Sequence, residues 1–577
     1  MEKRFVLFFV LIFLVNSLPA STQTIDWWED GSLYQIYPRS WKDSDGDGVG
    51  DLKGITENLE FLKEIGMTGA WLSPIFKSPM SDFGYDISDF YNIDPLFGSL
   101  EDFDELVVKA KKIGLKIILD FVPNHSSDEC EWFEKSINRE DGYDDFYVWD
   151  SGKDDPKNPG KKLPPSNWLS EFGGKAWSWN EKRQQFYLHQ FQNKQPDLNF
   201  RNEKVHKTML DVLKYWLDRG VDGFRIDAVP FFFEKINEDG SYPDEPVSGQ
   251  TTDPESNKYL SHIYTRDQQE NAELLMEWRT FLEEYERENG GEKRVLLAEA
   301  YSPINVIDQY FGNETHPAVH LPFNFNLMSL SESSSARDLE VSINEWMEVM
   351  WIKHKSANWV LGNHDNPRVG DRLGKEKKDL FNIILAGLPG TTVTYYGEEI
   401  GLDNVPTECT NITCDFRDSE RTPFQWNDKV SAGFSVTNET WLPVSGDYTT
   451  LNVKVQRGVV RSSLNIFKEM QNLKQTAAFR AFKNDGAWNY GAVNDQVFQI
   501  IRSNSNEEYR ILANLGNELE VIGPLCNSVE ESECSMEYIL VTKYSPHRVG
   551  DMANLNKIYM MPFEAVVLRR TISKQKK

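Results

Sequence analysis

The sequence predicts an α/β fold: a (β/α)8 TIM barrel with a subdomain inserted after strand 3 and a C-terminal antiparallel β domain. The first observation is that short apolar runs alternate with amphipathic helical segments ending at a glycine, such as residues 55–66 and 99–114. The strand-like runs are residues 33–38, 69–74, 115–122, 221–227, 295–300, 319–325, 358–365 and 392–399. Eight strands alternating with helices favour a closed barrel over an open doubly wound sheet.

Two departures from this alternation predict the additional domains. Residues 126–200, between the third strand and the next helix, are too many for a structureless loop and predict a subdomain over the barrel mouth. After about residue 480 the pattern changes to short alternating runs, which is typical of a small antiparallel domain. We therefore expect the barrel to comprise residues 24–125 and 201–479, followed by a C-terminal domain over 480–572.

The N-terminal stretch MEKRFVLFFVLIFLVNSLPA is typical of an export signal. Two basic residues precede an apolar run from Phe5 to Val15, which is too short to span a bilayer. We predict a cleaved signal peptide over residues 1–20 rather than a membrane anchor, and hence a secreted, extracellular protein.

The net charge of -28 argues against a nucleic-acid partner, because phosphates would be repelled. The sequence gives no indication of the oligomeric state.

The 5 cysteines are compatible with an oxidising compartment. Cys409 and Cys414 enclose a short loop, as do Cys526 and Cys534, so we expect two local disulfides. Cys130 would then remain as a free, buried thiol.

Polar side chains follow several of the predicted barrel strands, where the loops of such a barrel carry its chemistry. They are Asp120, His125, Arg225, Asp227, Glu299, His364 and Asp365. A single aspartate after a strand is usually a turn former, and a lone histidine is usually a satisfied core residue. Here the residues end strands of one barrel and converge on one mouth. Arg225 lies on the same strand face as Asp227 and would hold that carboxylate ionised.

The motifs DFGYDIS, DFVPNH, GFRIDA, AEAY, GNHD and RTPFQW resemble, in order and spacing, the sequence regions of the α-amylase superfamily, glycoside hydrolase family 13. The resemblance covers essentially the whole mature chain and is strongest to the α-glucosidase and maltase branch, including insect α-glucosidases. It implies retaining glycoside hydrolysis without an organic cofactor. Asp227 would be the nucleophile, Glu299 the general acid and base, and Asp365 the transition-state stabiliser. Arg225 would lower the pKa of Asp227, while apolar neighbours and nearby carboxylates would raise that of Glu299.

The resemblance also implies a pocket closed around one terminal glucose. The implied substrate-binding residues are Asp82, Tyr85, Asp120, His125, Arg225, His364 and Arg417, the last preferred over Arg421. Because such a pocket admits one chain end, we expect an exo-acting enzyme. By comparison with related bacterial and yeast enzymes, Ala228, the small residue after Asp227, favours α-1,4 bonds in maltose and short maltooligosaccharides. The resemblance to insect enzymes implies sucrose as a second substrate, and a covalent intermediate that another sugar can intercept implies transglucosylation as a side reaction.

Two other hypotheses remain open at this point. A sucrose isomerase or trehalulose-forming transferase would share the same catalytic residues. Non-catalytic relatives, such as the heavy chains of amino-acid transporters, have a transmembrane helix and lack parts of the catalytic set, so they fit this sequence less well.

The stretch DSDGDGVGDLKG, residues 43–54, contains most of an EF-hand calcium signature, but Gly54 stands where the closing glutamate belongs. An EF-hand also needs a helix before the loop, whereas a strand is predicted there. The resemblance instead implies a structural Ca²⁺ site, and the alternative is a solvated acidic turn. The implied ligands are Asp43, Asp45, Asp47, Asp51 and the backbone carbonyl of Val49.

Four Asn-X-Ser/Thr sequons occur in the chain. We expect glycans on Asn313, Asn411 and Asn438. Asn124 lies inside a candidate catalytic motif, where a glycan would block the pocket, so we expect it to be unmodified.

Overall fold

The structure, a computed structural model, describes residues 26–353, 355–407, 415–480, 487–526 and 534–572. Its strands are β1 (Ser32–Ile36), β2 (Gly69–Leu72), β3 (Phe76–Lys77), β4 (Asp89–Ile93), β5 (Lys116–Phe121), β6 (Trp149–Asp150), β7 (Lys153–Asp154), β8 (Lys162–Leu163), β9 (Trp177–Asn180), β10 (Gln185–Leu188), β11 (Gly223–Ile226), β12 (Val295–Ala298), β13 (Leu321–Pro322), β14 (Asn358–Val360), β15 (Thr391–Tyr395), β16 (Ala487–Ala492), β17 (Val497–Ser503), β18 (Glu507–Asn514), β19 (Glu520–Ile522), β20 (Ser535–Val541), β21 (Met552–Asn554), β22 (Ile558–Met560) and β23 (Ala565–Thr571). Its α-helices are α1 (Pro38–Trp41), α2 (Leu52–Glu64), α3 (Leu100–Ile113), α4 (Glu131–Ile137), α5 (Glu203–Asp218), α6 (Gln269–Asn289), α7 (Ile304–Tyr310), α8 (Ala336–Lys353), α9 (Val369–Leu373), α10 (Lys378–Gly387), α11 (Val453–Arg457), α12 (Ser463–Lys474) and α13 (Ala477–Arg480).

Eight parallel strands form the barrel, and the predicted fold class is confirmed. The strands pair in the order β13-β12-β11-β5-β2-β1-β15-β14, so that the last strands of the chain return to the first. Each barrel strand is followed by at least one helix. Apolar side chains from several strands, including Leu33, Ile118 and Leu297, form one buried cluster.

The seam between β13 and β14 is closed by a side chain, because no ladder joins these two strands in the described part of the chain. The amide of Asn358 donates a hydrogen bond to the Pro322 carbonyl at 2.7 Å. Its carbonyl oxygen accepts one from the backbone N–H of Asn324 at 2.9 Å. One buried side chain of β14 therefore satisfies two backbone groups of the β13 segment across the gap.

The start, the buried face and the end of helix α3 each follow from a local sequence signal. Ser99 caps its first turn in a capping box with Asp102, and apolar residues such as Phe103 and Leu106 face the core. The helix ends at Gly114, which adopts φ 68°, a left-handed conformation that glycine enters without strain.

Between β5 and α5 the chain forms α4 and five short strands, where the sequence predicts an inserted subdomain. Strands β6, β10 and β9 make a small antiparallel sheet, and β7 and β8 pair separately. Trp168, Trp177 and Phe186 belong to a separate apolar cluster in this segment. The exact domain bounds stay a prediction.

The C-terminal strands form an antiparallel sheet in the order β16-β17-β18-β23-β20-β21, with β19 and β22 paired beside it. This sheet shares an apolar cluster with α8, α10 and α12, which include Trp346, Ile384 and Ile466. The C-terminal domain therefore packs on the barrel.

The Cys526–Cys534 disulfide is present, and Cys130 is a buried free thiol, as expected. The predicted signal peptide, the Cys409–Cys414 pair and the sequon at Asn411 lie outside the described residues. None of the described helices is long and apolar enough to cross a membrane.

Two remaining sequons lie where a glycan could attach. Asn313 and Asn438 are exposed, whereas Asn124 is 1% exposed. The amide nitrogen of Asn124 lies 3.3 Å from Oδ1 of Asp197. The burial of Asn124 agrees with the expectation that this sequon stays unmodified, while glycosylation of the other two stays a prediction.

Candidate active site

The strand register brings the two candidate reacting carboxylates together. Ile226 of β11 lies opposite Ala298 of β12, so the next residues, Asp227 and Glu299, leave the sheet side by side. The N–H of Asp227 donates to the Phe121 carbonyl at 2.9 Å, and the N–H of Glu299 donates to the Ile226 carbonyl at 2.9 Å. Backbone bonds from neighbouring strands therefore position both residues.

Arg225 lies at the centre of the carboxylate cluster and is 2% exposed. Its Nη1 donates to Asp120 at 3.0 Å and also to Asp227. Its Nη2 lies 3.8 Å from Glu299. Asp120 further accepts hydrogen bonds from the Trp71 indole at 3.2 Å and, on the same oxygen, from the Tyr85 hydroxyl. Three carboxyl groups thus share one guanidinium.

Burial dominates the electrostatics of this cluster. It raises the pKa of Asp227 well above its ordinary value, although Arg225 opposes the shift, and Glu299 and Asp120 reinforce it. Arg225 lowers the pKa of Asp227, as expected, but the net pKa, which we expected to be low, is raised because one buried cation does not offset burial plus two carboxyl neighbours. Burial also raises the pKa of Glu299, in the expected direction.

Ala228 positions Glu299 through its backbone, a contact that the sequence did not indicate. It adopts φ 53°, a left-handed conformation that is uncommon for a residue with a Cβ. In this conformation its N–H donates to Oε2 of Glu299 at 2.8 Å. The residue after the candidate nucleophile therefore holds the candidate acid in place.

A second charged cluster lies around Asp365. Arg417 donates from Nη1 to Asp365 at 3.0 Å and from Nη2 to Asp82 at 2.7 Å. Arg421 donates from Nη2 to Asp365 at 3.0 Å. The sequence favoured Arg417 over Arg421, but the structure brings both arginines to the same carboxylate. Gln195, from the segment after β5, adds a 3.1 Å bond to Asp82.

Asp365 stays ionised in this setting. Burial would raise its pKa, but His364, Arg417 and Arg421 together lower it below the ordinary range. Burial lowers the pKa of His364 to about 3, so that imidazole is neutral at neutral pH and the two arginines balance the charge of Asp365.

Both candidate histidines contact Tyr85. The ring of His364 stacks on Tyr85 with centroids 5.2 Å apart and 4° between planes. Nδ1 of His364 is 2.8 Å from the Gln35 amide nitrogen, which donates to it and leaves the proton on Nε2, 3.4 Å from Asp365. Nε2 of His125 lies 3.2 Å from the Tyr85 carbonyl, and burial lowers the pKa of His125 to about 4. Gln35 is a polar residue inside an apolar strand, which was the available sequence signal.

These residues line a cavity of about 1120 Å³. Its walls come from loops after the barrel strands and from the segment between β5 and α5. On one side Arg266 donates to Glu171 of that segment and lies 3.2 Å from Asn257. Of the predicted substrate-binding residues, the cavity lining includes Asp82, Tyr85, His125, His364 and Arg417. Arg225 and Asp120 are not in the lining, and Arg225 bonds both Asp120 and Asp227.

The acidic loop brings three of its aspartates together. Carboxylate oxygens of Asp43, Asp45 and Asp51 lie within 4.8 Å of one another. Asp47 is not part of this group, and its Oδ1 accepts a 2.8 Å bond from the N–H of Val49. Burial and the neighbouring carboxylates raise the pKa of Asp47. Oxygen donors at this spacing fit a hard cation such as Ca²⁺.

The surroundings of this loop also differ from an EF-hand. One helical turn, α1, separates β1 from the loop, which the sequence pattern did not indicate. After the loop, Oδ1 of Asp51 accepts the N–H of Gly54 at 2.8 Å and caps α2. The loop therefore braces the start of the first barrel helix.

Comparisons with known proteins agree with this site. Residues 35–482 match the family "Alpha amylase, catalytic domain". The chain is 60% identical over 560 residues to maltase A2 of Drosophila melanogaster, covering 97% of this chain and 98% of that protein. It is 49% identical to the salivary alpha-glucosidase of Aedes aegypti, covering 81% and 82%. The crystal structure of the alpha-glucosyl transfer enzyme XgtA superposes with a TM-score of 0.80 at 31% identity, covering 95% of this chain and all of that one.

The barrel and its buried carboxylates define the class of protein, a glycoside hydrolase. The chain belongs to the α-amylase family and, within it, to the maltases and α-glucosidases.

Proposed function

We propose that the protein is a secreted, exo-acting, retaining α-glucosidase that hydrolyses the terminal α-1,4-linked glucose of maltose and short maltooligosaccharides, and also the α-glucosidic bond of sucrose. The observation that carries the proposal is the cluster of Asp227 and Glu299 around Arg225, at the base of a cavity whose other side holds Asp82, Arg417 and Asp365.

In the first step, a carboxylate oxygen of Asp227 attacks C1 of the terminal glucose from the face opposite the leaving oxygen. Glu299 gives its proton to that oxygen, the C1–O bond breaks, and a β-glucosyl-enzyme ester forms. In the second step, Glu299 removes a proton from water, which attacks C1 and releases α-glucose. Asp227 leaves as a carboxylate and Glu299 is again protonated, so both groups return to their starting states.

The geometry favours placing the proton on Glu299 rather than on Asp227. Arg225 bonds directly to Asp227 and Asp120 through Nη1, whereas its Nη2 is 3.8 Å from Glu299. Direct hydrogen bonds favour the ionised form of the first two groups. Burial raises the pKa of both Asp227 and Glu299, which favours retention of a proton by the pair, and the Arg225 bonds favour Glu299, the proposed general acid, as the group that carries it.

Asp365 would bind sugar hydroxyls as an ionised acceptor and stabilise positive charge developing at the ring. Asp82 and Arg417 would bind the hydroxyls of the same glucose on its non-reducing side. Because Asp82 accepts hydrogen bonds from both Arg417 and Gln195, these residues are held in place and close this end of the pocket to a longer sugar chain. Such a closed end supports removal of one glucose at a time.

The proposal of secretion rests on the N-terminal sequence and on the Cys526–Cys534 disulfide. A relative named for saliva, the salivary alpha-glucosidase of Aedes aegypti, agrees with it. Asp43, Asp45 and Asp51 would hold a structural Ca²⁺, and no step of the hydrolysis uses a metal.

Transglucosylation is a second candidate activity, supported by the similarity to a structure titled an alpha-glucosyl transfer enzyme. A sugar hydroxyl would replace water in the second step, with the same proton transfer to Glu299. High substrate concentration should therefore increase the share of trisaccharide products.

The experiment is to incubate the mature protein with maltose, isomaltose and sucrose and to follow the first glucose released by NMR. Maltose should be cleaved faster than isomaltose, and the first product should be α-glucose. Initial release of β-glucose would contradict the retaining mechanism. Asp227→Asn and Glu299→Gln should each lower kcat for maltose by more than about a thousandfold, while Asp253→Asn at the cavity rim serves as the matched control.

A further inference from the structure

One wall of the cavity contains none of the residues proposed to bind the terminal glucose. That wall lies beside Glu299 and includes Asp267, Tyr301 and Ser302. Glu299 protonates the oxygen between the two sugars, so the leaving group must lie on the side of the cavity that Glu299 faces. The residues of this wall are therefore placed to contact the leaving group rather than the terminal glucose.

Asp267 is fixed to both loops that carry the reacting carboxylates. Its N–H donates to the carbonyl of Pro230 at 2.8 Å, three residues after Asp227. Its Oδ1 accepts a 2.7 Å bond from the hydroxyl of Ser302, three residues after Glu299, and another 2.7 Å bond from Tyr310. The residue also adopts φ 56°, a backbone conformation that costs free energy for a residue with a Cβ.

The other carboxylate oxygen of Asp267 has no hydrogen-bond donor in the part of the chain that the structure describes. Oδ2 makes no hydrogen bond or ion pair with any residue in the described ranges, and the side chain is partly exposed to the cavity. The adjacent Arg266 does not neutralise it, since that guanidinium is engaged by Glu171 and Asn257. A rigid carboxylate with one free oxygen is suited to accept a hydrogen bond from a sugar hydroxyl.

Tyr301 provides an apolar surface on the same wall. Its ring is stacked on Phe325 with centroids 4.3 Å apart, yet the residue is 52% exposed. Its hydroxyl accepts bonds from Asn363 at 2.6 Å and Asn366 at 3.0 Å, which fix the ring. A fixed, exposed aromatic face would pack against the leaving group whether that group is a sugar or an aromatic ring.

We propose that Asp267 is a specificity-determining residue that binds a hydroxyl group of the leaving-group sugar. It makes the enzyme select a sugar over a leaving group that has no hydroxyls. The inference rests on the proposed α-glucosidase function and adds a residue that binds the second, leaving-group sugar.

The test compares maltose with p-nitrophenyl α-glucoside, whose leaving group offers no hydroxyl to Asp267. Asp267→Asn keeps an oxygen that accepts from Ser302 and Tyr310, and Asp267→Gly suits the positive φ. In both variants kcat/KM for maltose should fall by about tenfold or more, the usual effect of losing a hydrogen bond to a charged acceptor. The value for p-nitrophenyl α-glucoside should stay within about twofold.

Tyr310→Phe is the matched control, because it removes a bond to Oδ1 and leaves Oδ2 in place. It should change both substrates by the same factor. Equal losses for both substrates in the Asp267 variants, or no loss for maltose, would overturn the inference. Failure of the wild-type protein to hydrolyse either substrate would instead overturn the proposed α-glucosidase function.

Discussion

At the scale of single residues, the candidate site depends on arginines that serve several carboxylates at once. Arg225 contacts Asp120, Asp227 and Glu299, and Arg417 contacts Asp82, Asp365 and Asp415. Such sharing fixes the direction of each guanidinium, because moving it toward one partner weakens its contact with another. The residues that orient these arginines should therefore affect substrate binding without touching the substrate.

Asp415 provides a test of this idea. It accepts bonds from the Nε of Arg417 at 2.9 and 3.0 Å and from the Arg417 backbone N–H at 2.9 Å. Asp415→Asn should loosen Arg417 and raise KM for maltose about fivefold, with a smaller change in kcat. Steady-state kinetics would measure both constants. Asp495→Asn, which alters an exposed ion pair with Arg337, should change neither; a fall in kcat alone at Asp415 would contradict the positioning role.

At the scale of elements, two local devices hold parts of the barrel in place: the side-chain closure between β13 and β14, and the acidic loop before α2. Both replace regular secondary-structure hydrogen bonds with side-chain groups. Each device can be altered without touching the candidate active site.

Asn358→Ala should destabilise the barrel by about 2–4 kcal/mol, since it leaves a buried backbone N–H at Asn324 and a carbonyl at Pro322 without partners. Urea unfolding monitored by circular dichroism would give the free energy. The exposed Asn305→Ala should change it by less than about 0.5 kcal/mol. Equal effects of the two substitutions would show that the seam does not depend on Asn358.

Binding of Ca²⁺ to the acidic loop should raise Tm, and a chelator should lower it, because an ion bound only by the folded state stabilises that state. Asp45→Asn should abolish the response with little change in the Tm measured with chelator, since Asp45 is exposed and caps no helix. Differential scanning calorimetry with and without Ca²⁺ would measure this. An unchanged Ca²⁺ response in Asp45→Asn would place the ion elsewhere.

At the scale of the whole molecule, several carboxyl groups are buried away from solvent with raised pKa values. Burial raises the pKa of Asp197 to about 7, of Glu234 to about 8, of Glu398 to about 8 and of Glu399 to about 7. These groups stay protonated in the folded protein at pH values where the unfolded chain ionises. The chain also carries a net charge of -28, so rising pH adds repulsion.

Glu398 gives the sign of the resulting pH dependence. Its carboxyl ionises near its ordinary value of 4.5 in the unfolded chain but only near 8 when folded. Its contribution to stability is therefore complete below about pH 4.5 and is lost as pH rises toward about 8. Glu398→Gln should raise Tm by roughly 2 °C or more at pH 8 relative to wild type, and by much less at pH 5.

Thermal melts at the two pH values would measure this difference. Glu469→Gln, at an exposed position of α12, is the control and should shift Tm equally at both. A Glu398→Gln variant with the same Tm difference at pH 5 and pH 8 would contradict the assignment of a protonated Glu398.

The sequence by itself determined the order of strands and helices and the identity of the candidate reacting carboxylates. Both depend on short-range signals: the period of apolar residues, glycine stops such as Gly114, and polar residues at strand ends such as Asp227 and Glu299. The motifs that carry the family resemblance are likewise contiguous in the chain.

Only the tertiary structure decided the properties that depend on distance through space. The raised pKa of Asp227 results from burial and from carboxyls on other strands, and the shared contact of Arg417 and Arg421 with Asp365 joins distant loops. The bonds of Asp267 to both catalytic loops likewise join distant segments, as does the closure of the barrel by Asn358. Local patterning sets which elements form, whereas burial and partner geometry arise only when those elements pack together.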